Sequence, residues 1–421
     1  MTPAGSVSMP DVRKPTFPEP SPEALAHSEQ LRGVIVERIN ASGGWISFAE
    51  YMQLALYAPG LGYYSAGATK FGGEGDFVTA PLVSPLFSRT CAREISRLLR
   101  ASGTEAVLEF GPGTGRFAAD ALAVLGEPDS PLRRYALLEV SADLRARQAD
   151  ELRSIKATES AKSVDIDWVN ELPRGFRGVV FANEVLDALP CERFIVRGRE
   201  WWRVGVGVGA SGLEWRVRPP DGAVPGDAEF IDGAEQRLKD LSSHGETLPE
   251  GYCGEWHPWL DGWLSALGSA LDRGVVLLAD YGLPRRQLMH PDRMQGSLRC
   301  HYRHHAHGDP FLYPGLTDIT SWVDFSAVAG AAIRAGFKLE GFTTQTAFLM
   351  GSGIEQELMS MSAGVDPSSP DYLAWVRGVR TLLLPGEMGE AVKFMLLTRN
   401  IDEGALGDLP AFSLRDLRDS L

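Results

Sequence analysis

The chain has 421 residues, 44% of them hydrophobic, and a formal net charge of −14. That length and composition allow a sizeable core spread over about two or three domains, while the acidic balance repels nucleic-acid polyanions and suits a basic partner. No apolar run approaches the ~20 residues of a membrane-spanning helix, and Cys91, Cys191, Cys253 and Cys300 are spaced neither as a disulfide framework nor as a zinc ribbon, so a reducing cytoplasm is the expected compartment.

Taken in chain order, residues 1–30 are rich in Pro and Ser and lack an apolar stripe, which predicts a disordered tail. Its acids Asp11, Glu19, Glu23 and Glu29 argue against an import presequence. From 31 to 100 the apolar spacing is helical in "LRGVIVERIN" and "SPLFSRTCAREISRLLR", and the turn-rich stretch from Ala58 to Pro85 separates them. This predicts a helical N-terminal module with a lid loop. Short aliphatic runs follow at 106–110, 135–140, 164–169 and 178–183, within a core spanning 101–192, and a fifth lies at 274–280. Helical patterns such as "SADLRARQADELRSI" alternate with them, as in a doubly wound parallel sheet. Residues 193–273 form an insertion: an alternating, Gly-punctuated meander, then an aromatic-rich helical stretch from Glu250 to Leu271. The core resumes over 274–400 with a long loop at 283–325, and "KLEGFTTQTAFL" and "VKFMLLTRN" supply two more strands. The fold class is therefore α/β, a Rossmann-like sheet of seven strands closed by a hairpin-like pair, with 401–421 as a C-terminal tail.

The stretch "LEFGPGTGRF", 108–117, carries the first chemistry. A strand that enters Gly111, Gly113 and Gly115 and leaves into a helix presents bare backbone and a helix N-terminus to a ligand. A dinucleotide fingerprint needs a glycine at 116, where this chain has Arg116, so an oxidoreductase is disfavoured. The GxGxG spacing fits S-adenosylmethionine (SAM), and Glu109 suits its cationic ammonium. Glu139, at the end of the second strand, is placed to accept ribose hydroxyls. Asp165 or Asp167 on the third strand is a candidate for the adenine amino group, and Asp167 is taken as the cofactor residue.

"FANEVLDALP" (181–190), "EFGPGTG", "GLGYYSAGATKFGGEGDFVTAP" and "GSLRCHYRHHAHGDPFLYPGLTDIT" together resemble the MidA-like family of SAM-dependent methyltransferases. The resemblance covers about Ile46 to Asn400. It implies SAM as cofactor, a protein arginine as methyl acceptor and, from mitochondrial members, a respiratory complex I subunit as partner. It also implies that Gly111, Gly113 and Gly115 cradle SAM, that Glu139 holds the ribose, and that Asn183 and Glu184 face the transfer pocket with Asp187 behind them. Gly75, Asp76 and Thr79 would belong to a lid, and Arg299, Tyr302 and Asp318 to the substrate entrance. Three positions depart from the family pattern: Leu82 stands where a glutamate is usual, Trp322 replaces a histidine, and Gly308-Asp309 replaces an acid pair.

Methyl transfer from a sulfonium is an in-line displacement, so alignment of the nucleophile supplies most of the acceleration. An arginine acceptor has a pKa of about 12.5 or more and stays protonated. Carboxylates paired with its far edge localise charge there and leave the near nitrogen more nucleophilic. Glu184, Asp187 and Asp76 are the candidate catalytic carboxylates, with Glu184 and Asp187 expected on one face of a helical turn. Tyr281, in "DYG", either stacks on a ligand or edges the core. Trp201, Trp202 and Trp215 are expected to pack across strands. "CHYRHHAH" lacks a zincin-type spacing and is not read as a metal site. The competing function is a SAM-binding assembly factor that transfers no methyl group, motivated by Leu82 and Trp322.

Overall fold

A computed structural model describes residues 17–66, 79–198, 200–222, 224 and 226–421, with the exception of 157–162. The chain falls into two compact units whose boundaries lie at Phe77/Val78, Leu186/Asp187, Trp259/Leu260, Pro284/Arg285 and Asp324/Phe325.

One unit is built on seven strands: β1 Ala106–Phe110, β2 Arg134–Leu138, β3 Asp165–Val169, β4 Phe176–Asn183, β5 Leu271–Leu283, β6 Lys338–Thr344 and β7 Val392–Arg399. Their order is β3-β2-β1-β4-β5-β7-β6. Strands β1 to β5 pair in parallel, and β7 runs antiparallel to both β5 and β6. Runs such as "VVLLA" in β5 are buried throughout because a parallel sheet covered on both faces has no solvent side. The order reverses between β1 and β4, and an open α/β sheet leaves a ligand crevice at that point, beyond the carboxyl ends of the strands.

The predicted strands recur within a few residues. The helix expected from "SPLFSRTCAREISRLLR" spans Pro85–Ser102 and packs its apolar stripe into this unit's core, so it belongs with the sheet and not with an N-terminal module. The C-terminal stretch is no tail either: Ile401, Leu406, Ala411 and Phe412 are buried in the same core.

The other unit holds the meander as antiparallel strands Glu192–Arg197, Glu200–Gly209 and Gly212–Arg218. The stretch expected to be helical from Glu250 divides into a strand of this unit, Cys253–Trp256, and a helix, Leu260–Ala270, that belongs to the first unit. That strand pairs with Glu192–Arg197. A helix at Asp227–Ser243 escaped the sequence reading. Trp201 stacks on Phe194 at 3.8 Å, and Trp202 and Trp215 pack against Ile195, Val204, Val217 and Cys253, the cross-strand packing expected of them; Trp215 also meets Phe48 of a helix and Phe311 of a loop. The expected loop 283–325 contains a three-stranded sheet, Arg299–Tyr302, His305–His307 and Asp318–Thr320.

A helix from Pro22 to Ala41 takes in residues 22–30 of the predicted tail, while residues 1–16 lie outside the described residues. Ser21 caps it by accepting the Ala24 N–H at 3.2 Å, Pro22 opens it and Glu23 sits in its first turn. These are helix-start signals legible in "SPEA".

Candidate active site

Glycines are required where β1 ends. Gly111, Gly113 and Gly115 have φ of 57°, 51° and 86°, left-handed values that side chains with a Cβ rarely adopt. A Cβ on Gly111 would stand 3.1 Å from Val185 Cγ2, and one on Gly115 3.1 Å from Gln148 Cα. A Cβ on Gly113 would meet no atom within 4 Å, so its φ alone asks for glycine and the space beside it is open. Gly115 is the N-cap of the helix Arg116–Leu125.

Acids stand at the ends of the flanking strands. Glu109 on β1 is buried and accepts the Tyr135 hydroxyl at 2.7 Å. Burial pushes its pKa up to about 8, against the opposing effect of that hydrogen bond. Glu139, just past β2, is buried, with Oε1 accepting the Ser141 N–H at 2.8 Å and Oε2 the Gln148 amide at 3.3 Å. Val140 beside it is 78% exposed, an apolar face that the sequence reading passed over. Asp167 is a correction: Arg134, at the opposite end of β2, donates to both its oxygens at 2.9 and 2.7 Å. Its carboxylate is thereby drawn toward the start of the sheet and away from the glycine loop.

At the end of β4, Asn183 donates through Nδ2 to Glu184 Oε1 at 3.0 Å, and its own Oδ1 is buried with no hydrogen-bond partner among the described residues. Glu184 has φ 51°. A non-glycine residue held in this region marks local strain of the kind found at functional sites. Its Oε1 also accepts the Ala80 N–H at 3.1 Å, tying it to a four-residue helix capped by Thr79. No helix carries Glu184 and Asp187 on one face; the chain bends at Glu184, which is left-handed, and at Leu186, and Asp187 enters a separate turn. The bend is held by Asp280, which the sequence reading missed beside Tyr281: its Oδ2 accepts the N–H groups of Val185 and Leu186 at 3.1 and 2.7 Å. Tyr281 packs against this unit's core, the core-edge alternative. Gly75 and Asp76 lie outside the described residues.

In the other unit Asp187 and Asp318 are buried, and Tyr64 donates to Asp318 Oδ1 at 2.9 Å. Tyr57 stacks on Tyr64 with centroids 5.4 Å apart and donates to the Ala188 carbonyl. Burial, then the Asp318 and Asp187 carboxylates, drive the Tyr57 hydroxyl well above its ordinary pKa. Neither tyrosine was singled out from the sequence, though both lie near or in the quoted "GLGYYS" stretch. Tyr302, expected to face substrate, is instead 2% exposed and packs with Ala24 and Leu316. Arg299 is exposed and donates to the Leu298 carbonyl.

A cofactor with one cationic and one ribose-bearing end fits these residues. The orphaned Asn183 Oδ1 and the buried Glu109 carboxyl are oxygen acceptors suited to a cation, Glu139 to hydroxyls, and Gly113 to close backbone approach. Seven strands in this order, with the glycine loop at the switch point, define the class: a SAM-dependent methyltransferase. The S-adenosyl-L-methionine-dependent methyltransferase family model matches residues 86–343, and the chain belongs to that family, the MidA-like methyltransferases. A Burkholderia thailandensis protein whose crystal structure holds S-adenosyl-homocysteine is 41% identical, with a TM-score of 0.85 over 96% of this chain and 100% of that one. The mouse mitochondrial protein arginine methyltransferase NDUFAF7 is 30% identical over 85% of this chain and 81% of its own. The Drosophila melanogaster homolog is 28% identical over 90% and 88%.

Proposed function

We propose that this methyltransferase acts on an arginine side chain of a protein partner, with Glu184 as the catalytic carboxylate. The observation that carries this is the strained Glu184 backbone at the end of β4, locked by the Asp280 carboxylate, which is expensive to maintain unless the side chain needs that position. The name of the mouse relative supports the acceptor class.

SAM supplies an electrophilic methyl group on sulfur. Glu109 and Asn183 would hold its ammonium end, the 111–115 glycine loop would allow its close approach, and Glu139 would accept its ribose hydroxyls. Glu184 would pair with the guanidinium, fix its plane and draw positive charge toward the carboxylate, so that the opposite nitrogen attacks the methyl carbon as its bond to sulfur breaks and the neutral thioether leaves. The proton leaves during or after transfer, because removing it beforehand costs roughly 8 kcal/mol at pH 7. Asp187 is a second proposed catalytic carboxylate, and Tyr281, Tyr302 and Asp318 are proposed to serve the substrate by the family resemblance. Gly75, Asp76 and Thr79 keep the roles that the family resemblance gives them, Asp76 as a further catalytic carboxylate and Gly75 and Thr79 toward the cofactor. Arg299 is a further residue proposed to serve the substrate.

A complex I-type subunit is the proposed partner. A cytoplasmic setting, consistent with four buried free cysteines, is the proposed location, whereas the curated relatives carry a mitochondrial designation. The test is transfer of label from methyl-labelled SAM to lysate protein, followed by identification of the modified residue. Methylarginine formed by the wild type and lost in Glu184→Gln with cofactor binding kept supports the proposal. Cofactor binding without label transfer to any protein would favour the assembly-factor alternative, and label on lysine would overturn the acceptor.

A further inference from the structure

We propose that Gln148 is a positioning residue that fixes the glycine loop and the Glu139 carboxylate together for the ribose of the cofactor. The proposal rests on Glu139 serving the cofactor, as set out above. Gln148 lies in the helix Ala142–Lys156 and is fully buried. Its Nε2 donates to the Gly113 carbonyl at 2.8 Å and to Glu139 Oε2 at 3.3 Å, which uses both amide hydrogens. Its Oε1 accepts the indole N–H of Trp168 on β3 at 2.7 Å. Since an indole nitrogen only donates, that contact fixes which end of the amide faces the loop and the carboxylate.

Three consequences follow from these bonds. The loop cannot swing away from β2 without breaking a buried hydrogen bond, so the distance from Gly113 to Glu139 is set before any ligand arrives. The Glu139 carboxylate, held on Oε1 by Ser141 and on Oε2 by Gln148, has its plane fixed for two adjacent hydroxyls. Close approach is also built in, because Gln148 passes so near Gly115 that a Cβ there would stand 3.3 Å from Gln148 Cβ. Both amide hydrogens being spent, Gln148 acts through Glu139 and the loop.

The experiment is calorimetric titration of the full chain with S-adenosylhomocysteine, comparing wild type, Gln148→Ala, Glu139→Ala, the double variant and Gln148→Glu, with thermal melting of each. Each single alanine variant is expected to weaken binding about tenfold or more. The double variant is expected to be no worse than the weaker single by more than about threefold, because the two residues act as one unit. Gln148→Glu replaces a donor by a charge facing Glu139. Its affinity relative to wild type is expected to recover at least about fivefold between pH 8 and pH 5.5, as protonation restores a donor. A residue that merely fills space would show no such recovery. Multiplicative losses, wild-type binding in Gln148→Ala, or a pH-independent Gln148→Glu would overturn the proposal while leaving the cofactor assignment standing. A wild-type chain that fails to bind S-adenosylhomocysteine would overturn the cofactor assignment, and the role of Gln148 with it.

Discussion

Asp280 at the end of β5 accepts the backbone N–H of Leu186 at 2.7 Å, so a residue about ninety positions away in the chain fixes the bend that carries Glu184. Replacing Asp280 by Ala leaves two backbone donors without a partner, which costs on the order of 1–3 kcal/mol. Asp280→Asn retains an oxygen acceptor, so its melting temperature should fall less. Turnover should drop at least about tenfold in both variants while cofactor affinity changes little, because an active-site group displaced by a fraction of an ångström loses alignment. Steady-state kinetics alongside calorimetry separates the two effects, and unchanged turnover in Asp280→Ala would remove the positioning role.

Glu184 tests strain directly. Glu184→Gly relieves the left-handed backbone but also loses the contact to Ala80, so its stability should be close to or above that of wild type, whereas its methyl transfer should vanish. Thermal melting read beside label transfer decides this. A clear loss of stability would mean that the carboxylate contributes more to holding the chain than the backbone costs it.

The three loop glycines are not equivalent. Gly113→Val meets open space, so it should fold with a stability loss of about 1–2 kcal/mol from its φ and bind no cofactor. Gly115→Val has the same backbone problem and in addition strikes Gln148, so it should lose distinctly more. Equal melting temperatures for the two would contradict the packing of Gln148 against Gly115.

Glu109 makes a pH prediction whose sign is fixed by its raised pKa. Between its unfolded value of about 4.5 and about 8, the folded ligand-free chain binds the extra proton. Its contribution to stability is therefore full below the lower value and declines as pH rises through the upper one, with a limiting slope of about 1.4 kcal/mol per pH unit. Glu109→Gln should flatten the fall in melting temperature across this window. A cationic cofactor favours the carboxylate, so binding near pH 7 should release a proton. The calorimetric enthalpy should then vary with the ionisation enthalpy of the buffer in the wild type and not in Glu109→Gln.

His257 gives the opposite case. Burial lowers its pKa to about 4, with Nε2 3.1 Å from Ser321 Oγ. A depressed histidine contributes stability above its unfolded value of about 6.5 that is lost as pH falls through 4. His257→Asn should shrink the acid-side loss seen in melting curves collected between pH 7 and pH 4.

Much of the fold was legible in the sequence because its signals are local. Five aliphatic runs, the glycine loop and the alternating meander each follow from side-chain period and backbone freedom within a few residues. Glu109, Glu139 and Glu184 were legible for the same reason, since each directly ends a strand or follows one. The boundaries that failed were of two kinds. "SPEA" carried readable helix-start chemistry hidden in a Pro- and Ser-rich context, while Cys253–Trp256 is too short for its period to separate strand from helix.

Sequence alone thus determined the class of sheet, the glycine loop at its switch point and the acids at the strand ends. Only the tertiary structure decided what each acid is free to do. Asp167 is claimed by Arg134, an ion pair between neighbouring strands that no spacing announces. Asp280, Gln148, Tyr57 and Tyr64 gain their roles through contacts with residues between 7 and 254 positions away in the chain. A hydrogen bond is set by distance in space, and the chain brings such partners together only when the sheet and its covering helices have closed.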